Sequence, residues 1–239
     1  MAQLASQIRG PVMMKQAEEL LALRLMALGF GIGAALFAAG ALLAVAHSPL
    51  ANPSYFTGAL FFTSAAAVQW RTSVHHATKD RRLNAELNFA NPDWQAAVIQ
   101  LLGTLYFNVM TTRALWIGLN DPVTYNHSVW RPDMFGSGLF LISSLIALQP
   151  AVQSRRHGAI FSRAPRIAWA NLAGSVFFGL SALGSLAVSA GQLRNEDWSN
   201  FGTLFGALAF LTAAMMVWPG KPTPTSDSDE EGHVHESRA

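Results

Sequence analysis

The sequence has no cysteine, which excludes disulfides, thiolate metal sites and cysteine nucleophiles. It is also short of charge. Sixteen basic and 14 acidic residues make up 13% of its 239 positions, where a soluble domain carries roughly 25%. A soluble fold of this size has too few charges here to cover its surface. The sequence pI near 9.3 does not point to nucleic acid, because the basic residues follow a membrane topology instead.

Charge is missing in blocks. Leu25–Trp70 contains no Asp, Glu, Lys or Arg, and neither do Trp94–Thr112, Met134–Ser154, Ile167–Leu193 and Trp198–Gly220. A helix that crosses a bilayer needs about 20 mainly apolar residues. Each of the four later blocks is long enough for one crossing. The first is long enough for two, and Pro49, Asn52 and Pro53 break it in the middle as a turn. The pattern predicts an all-α polytopic membrane protein with six transmembrane helices, near 25–46, 54–70, 94–116, 134–152, 167–190 and 201–218. A cytoplasmic amphiphilic leader is expected over 1–24, the membrane domain over 25–218, and a disordered acidic tail over 219–239. Ala44-Val45-Ala46 fits a signal cleavage site. The apolar stretch before it is longer than the roughly 7–15 residues of a secretory signal, so a retained helix is expected.

Thirteen of the 16 basic residues fall in alternate segments: the leader, the second connection, the fourth connection and the tail. Only Arg113, Arg131 and Arg194 lie in the other three. Lys and Arg accumulate on the cytoplasmic side of inner-membrane proteins, so both termini are expected there. Basic loops such as Arg71–Arg82 are expected to meet anionic headgroups. Trp70, Trp94, Trp116, Trp169 and Trp218 mark span ends, where indole suits the interface.

The spans share a motif. Gly-x-x-x-Phe occurs six times, once per predicted span: Gly33/Phe37, Gly58/Phe62, Gly103/Phe107, Gly136/Phe140, Gly174/Phe178 and Gly206/Phe210. Chance would give about one match, so the motif reads as an internal repeat. Three residues beyond each Phe stand Gly40, Ala65, Met110, Ser143, Ser181 and Ala213, on the same helical face. Small residues let helices approach closely in lipid, so the stripe is expected to be a packing seam near the midplane. Short outer and long inner connections group the spans as three hairpin repeats: 1–2, 3–4 and 5–6.

Two segments within these hairpins, Tyr55–Thr63 and Asn171–Ser181, resemble the YrhK-like family of small bacterial membrane domains. The resemblance implies a hairpin of two membrane helices with a Gly-Ser-x-x-Phe type core and a bacterial inner membrane. That family has no assigned function, so the resemblance carries over no catalytic residue.

Candidate chemistry is sparse. Gln100, Thr104, Asn108 and Thr111 form a polar stripe on span 3, with Arg113 beyond it and Asn171 on span 5. These six are the candidate binding residues; interhelical hydrogen bonding is the simpler role for them. His75-His76 cannot share one helix face and makes a poor metal pair. His127, with Asp121, Arg131 and Asp133, lies in the third connection at no defining spacing. His233, His235 and Glu236 lie in the tail. No catalytic residue, metal site or cofactor is expected, and the chain is read as a non-enzyme. The first expectation is a multi-pass protein with structural or interaction duties, as a homo-oligomer or with a membrane partner. The alternative is a small-molecule transporter or channel with its path along span 3.

Overall fold

A computed structural model describes residues 2–79, 91–155 and 163–219, with side-chain surroundings over 14–74, 91–150 and 164–219. His75, His76, the Lys79–Arg82 cluster, Arg155, Arg156, Arg163 and the acidic tail lie outside the described side chains.

The described chain is helical apart from one small hairpin. Six long helices are present: α1 (Ala2–Val45), α2 (Ala51–Lys79), α3 (Pro92–Ala114), α5 (Arg131–Arg155), α6 (Arg163–Gly184) and α7 (Glu196–Val217). A single turn, α4 (Pro122–Tyr125), runs through a π-helical turn at Asn126–Trp130 directly into α5. Side-chain caps fix several starts. Asn91 caps α3, Asp121 caps α4 and Asn195 caps α7, each accepting backbone N–H groups that a helix start leaves unpaired. At the first break, His47 takes a positive φ of 53° and the chain reverses before Ala51.

Helix six of the chain departs from its expected extent. The fifth span is expected over 167–190, but α6 ends at Gly184. Residues beyond it form β1 (Ala187–Ser189) and β2 (Gln192–Leu193), an antiparallel pair turned by Gly191 at φ 74°. β-Branched Val188 and the glycine favour this hairpin over continued helix.

Four helical stretches are long and apolar enough to cross a membrane: Met14–Val45, Pro122–Pro150, Ala164–Gly184 and Glu196–Val217. α2 and α3 are diluted by Thr, Ser, Gln and Asn. Burial is inverted relative to a soluble protein. Among the described residues the buried apolar side chains are alanines, six phenylalanines and Val129, with no Leu or Ile. Leucines instead stand exposed on all six long helices, Leu60 on α2 and Leu102 and Leu105 on α3 included. Such a surface is stable where the solvent is as apolar as leucine itself. Trp70, Trp116, Trp169 and Trp218 are all exposed.

The helices close into a ring. α1 packs on α2, α2 on α3, α3 on α5, α5 on α6, α6 on α7, and α7 returns to α1. Within the pairs α1/α2, α3/α5 and α6/α7, glycine and phenylalanine exchange places. A Cβ on Gly33 would meet Phe62 at 2.8 Å, and one on Gly58 would meet Phe37 at 2.8 Å. Gly103 faces Phe140 at 2.8 Å and Gly136 faces Phe107 at 3.4 Å; Gly174 faces Phe210 at 2.9 Å and Gly206 faces Phe178 at 2.6 Å. Only glycine leaves room for the partner's ring and backbone at that separation.

The six rings therefore meet on the axis. Phe37, Phe107 and Phe178 form one triangle, with centroids 5.7 to 6.2 Å apart. Phe62, Phe140 and Phe210 form a second, at 5.6 to 6.2 Å. Three rungs of 5.1 to 5.5 Å join them: Phe37–Phe62, Phe107–Phe140 and Phe178–Phe210. Each tilted or edge-on pair adds about 0.5–1.5 kcal/mol beyond area burial. The result is a prism of rings that closes the centre of the bundle.

Candidate functional site

Two cavities lie on the axis, one on each side of the ring prism; they are labelled outer and inner after the sides that the basic residues predict. The outer one has a volume of about 320 Å³. Its floor is the triangle of Phe37, Phe107 and Phe178. Above the floor stand Tyr55, Asp133 and Thr203, each three residues before the glycine of its own helix. Higher still, Ala44, Ala114 and Ser185 occupy matching positions, 11 residues after the glycines of α1, α3 and α6. The wall is thus contributed in equivalent tiers by the three helix pairs.

The inner cavity, about 120 Å³, lies at the opposite helix ends. Phe30, Gln100 and Asn171 line it, again each three residues before a motif glycine, together with Gln69 and Phe210. Of its polar groups, Gln69, Gln100 and Asn171 come one from each helix pair.

Asp133 is the exception to the tiers, because Tyr55 and Thr203 hold its place in the other pairs. It is partly buried. Ser185 Oγ donates to its Oδ2 at 3.0 Å, and the hydroxyl of nearby Ser137 donates to Phe178 O at 3.3 Å. Tyr55 and Tyr125 line the same cavity as Asp133. Among the described residues no Lys or Arg lines the outer cavity; besides the two tyrosines its other ionisable groups are His47 and Glu196, both exposed at the rim. The π-helical turn ends three residues before Asp133, and such turns recur at functional positions.

The mouth is framed by the β-hairpin. Asn126 Nδ2 donates to Ala187 O at 2.8 Å, while Ala187 N donates to Asn126 Oδ1 at 2.9 Å. Gly191 N donates to Leu119 O at 2.9 Å, and Trp130 Nε1 to Ala182 O at 2.9 Å. At the loop's other end, hydrogen bonds from the Thr124 side chain and the Thr124 and Val123 backbones hold the exposed Asp121 carboxyl below the ordinary carboxylate range. The outer connections are tied to one another, not loose.

The span-3 stripe separates into two roles. Gln100 meets Asn171 at the inner cavity, and Thr111 lines the outer one, its hydroxyl donating to Phe107 O at 2.8 Å. Thr104 is fully buried and donates to Leu101 O at 2.7 Å. Asn108 Nδ2 donates across to Thr63 Oγ1 on α2 at 2.7 Å, leaving its buried Oδ1 without a partner. Arg113 is exposed in the last turn of α3. His127 is exposed, and among the described residues no group of three His, Asp or Glu is placed to hold a metal.

The sequence groups Asp133 with the loop charges His127, Asp121 and Arg131 and does not single it out, because it stands at a helix start beside them. The repeat carried the missing signal: counting back from each motif glycine puts an acid where the other helix pairs carry Tyr and Thr.

No protein-family model matches this chain, and no curated protein or solved structure is similar to it.

Proposed function

We propose that this chain is a small-molecule transporter or channel whose path runs down the axis of a six-span bundle. The observation that carries the reading is the pair of partly polar cavities facing each other across the prism of six phenylalanines. A scaffold needs only the packed centre. The tiered walls on both sides of the ring prism are what a permeation path requires: two vestibules and a hydrophobic constriction that opens by rotation of rings. The path is axial and is shared by all three helix pairs; it does not follow α3 alone.

Several finer readings accompany this proposal. All six long helices cross the bacterial inner membrane, as three hairpin repeats with both termini in the cytoplasm. Exposed leucines on α2 and α3 support crossing by the two less apolar helices. The matching Gly–Phe exchange in three pairs supports descent from one hairpin. The YrhK-like resemblance lies in two of those pairs and is consistent with a hairpin ancestor. Basic inner loops meet anionic headgroups. The protein does no covalent chemistry in this reading. Structural or interaction duties, alone or in a homo-oligomer, become the competing outcome.

Because the chain has no cysteine, single cysteines test the two vestibules without background. Thr203→Cys should react with a membrane-impermeant maleimide only from outside, and Asn171→Cys only from inside. Protection of both from both sides would indicate a dry packed core and sink the transport reading.

A further inference from the structure

We propose that the outer cavity binds a small organic cation, held between the Asp133 carboxylate and the aromatic rings around it. This inference rests on the transport reading for its biological use, but its test is binding alone.

Three observations converge. First, Asp133 has no cationic partner among the described residues; its neighbours are the hydroxyls of Ser185 and Ser137. Hydroxyl donors soften the burial of a carboxylate but supply no opposite charge. Packing does not require an acid there, since Tyr55 and Thr203 fill the equivalent tier. Second, besides Tyr55 and Tyr125 the remaining ionisable groups facing the cavity are His47 and Glu196 at the rim, with no Lys or Arg among the described residues, so its field favours a cation. Third, the cavity is rich in aromatic side chains: Tyr55 and Tyr125 line it together with Asp133, and the ring triangle is its floor. Ring faces attract weakly hydrated cations such as alkylated ammonium groups. An inorganic ion of similar charge keeps its water shell and has only Asp133 and a few hydroxyls to replace it. A cavity of about 320 Å³ suits a small ligand, at the lower end of ordinary ligand pockets.

Calorimetry on the purified full chain in nanodiscs supplies the test, with tetramethylammonium and choline as probes. 3,3-Dimethylbutan-1-ol, the uncharged shape-mimic of choline, serves as the comparison, and potassium as the competitor. Choline should bind at least tenfold more tightly than the alcohol, and potassium at equal concentration should leave its affinity unchanged. Asp133→Asn preserves the shape and an acceptor for Ser185, and should weaken choline at least tenfold while leaving the alcohol unchanged. Tyr125→Leu should weaken choline several-fold. Equal binding of choline and alcohol, no binding of either, or unaltered affinity in Asp133→Asn would each overturn the inference. Should Asp133→Asn fail to fold, the choline-to-alcohol ratio in the unaltered chain decides alone. Flux in liposomes separates the two claims. Binding without flux rejects transport and keeps the site; flux of neutral solutes without choline binding does the reverse.

Discussion

A Cβ added to Gly33 would lie 2.9 Å from the carbonyl oxygen of Gly58, and one added to Gly58 would lie 3.0 Å from that of Gly33. The two backbones touch with nothing between them. The same reciprocal approach recurs at Gly103/Gly136, at 3.2 Å both ways, and at Gly174/Gly206, at 3.1 and 3.0 Å. These three contacts set how close the helices of each pair come, and so how far each phenylalanine reaches toward the axis.

Substitution at these glycines should therefore cost more than the usual helical glycine. Gly33→Ala forces a methyl group against backbone and is expected to destabilise by about 1–3 kcal/mol, the ordinary range for overpacking. Gly179→Ala and Gly138→Ala are the controls, because nothing lies within 4 Å of either Cβ position. Both sit within helices, where alanine is favoured by up to about 1 kcal/mol. Thermal melting in detergent should show Gly33→Ala lowered and the two controls unchanged or raised. Equal effects at all three positions would contradict the close-contact account.

Asn108 offers a separate test of buried polarity. Its Nδ2 has Thr63 Oγ1 as partner, while its Oδ1 has none. Thr63→Val leaves the amide wholly unpaired and should cost about 1 kcal/mol, within the span measured for interhelical hydrogen bonds in membranes. Adding Asn108→Leu to Thr63→Val should recover part of that loss, since removing both partners is milder than orphaning one. A double-mutant cycle by melting reads the coupling; strict additivity would mean the bond contributes nothing.

The outer hairpin should depend on one side chain. Asn126 pairs with both backbone groups of Ala187, so Asn126→Ala exposes an N–H and a carbonyl at once. Hydrogen exchange in residues 187–193 should accelerate by at least tenfold, with little change in α6. Uniform protection would show that Gly191 and Leu119 hold the hairpin without it.

Topology has its own check. A cysteine replacing Gly118, whose Cβ position is open, should be labelled from the side opposite to one replacing Ser228. Same-side labelling would remove the six-span reading.

How much of this was legible beforehand varies by feature. The charge-free blocks marked where helices run, because an ion in hydrocarbon is costly enough to be excluded from a span. Gly-x-x-x-Phe marked the seam, since only glycine accommodates a facing ring. Two things were hidden. The reciprocal exchange between Gly33 and Phe62 depends on the register of two helices, which one helix's spacing does not define. The hairpin at Ala187–Leu193 was masked by its own apolarity: Ala187 and Val188 read as helix until the partner Asn126 is known. Asp133 was visible as a residue but not as a site, because its meaning comes from the tier that Tyr55 and Thr203 complete.

The central claim is that the phenylalanine prism is the closed constriction of an axial path. Flux of a small solute into proteoliposomes reads this directly, comparing the unaltered chain with Phe107→Ala. That ring packs on Phe37, Phe140 and Phe178, and its removal should destabilise by about 3–5 kcal/mol while leaving the Gly33/Gly58 and Gly174/Gly206 contacts intact. The account predicts measurable flux through the unaltered protein and a several-fold faster rate in Phe107→Ala that still elutes as a folded species. Rates no higher than protein-free vesicles for both folded proteins would contradict it.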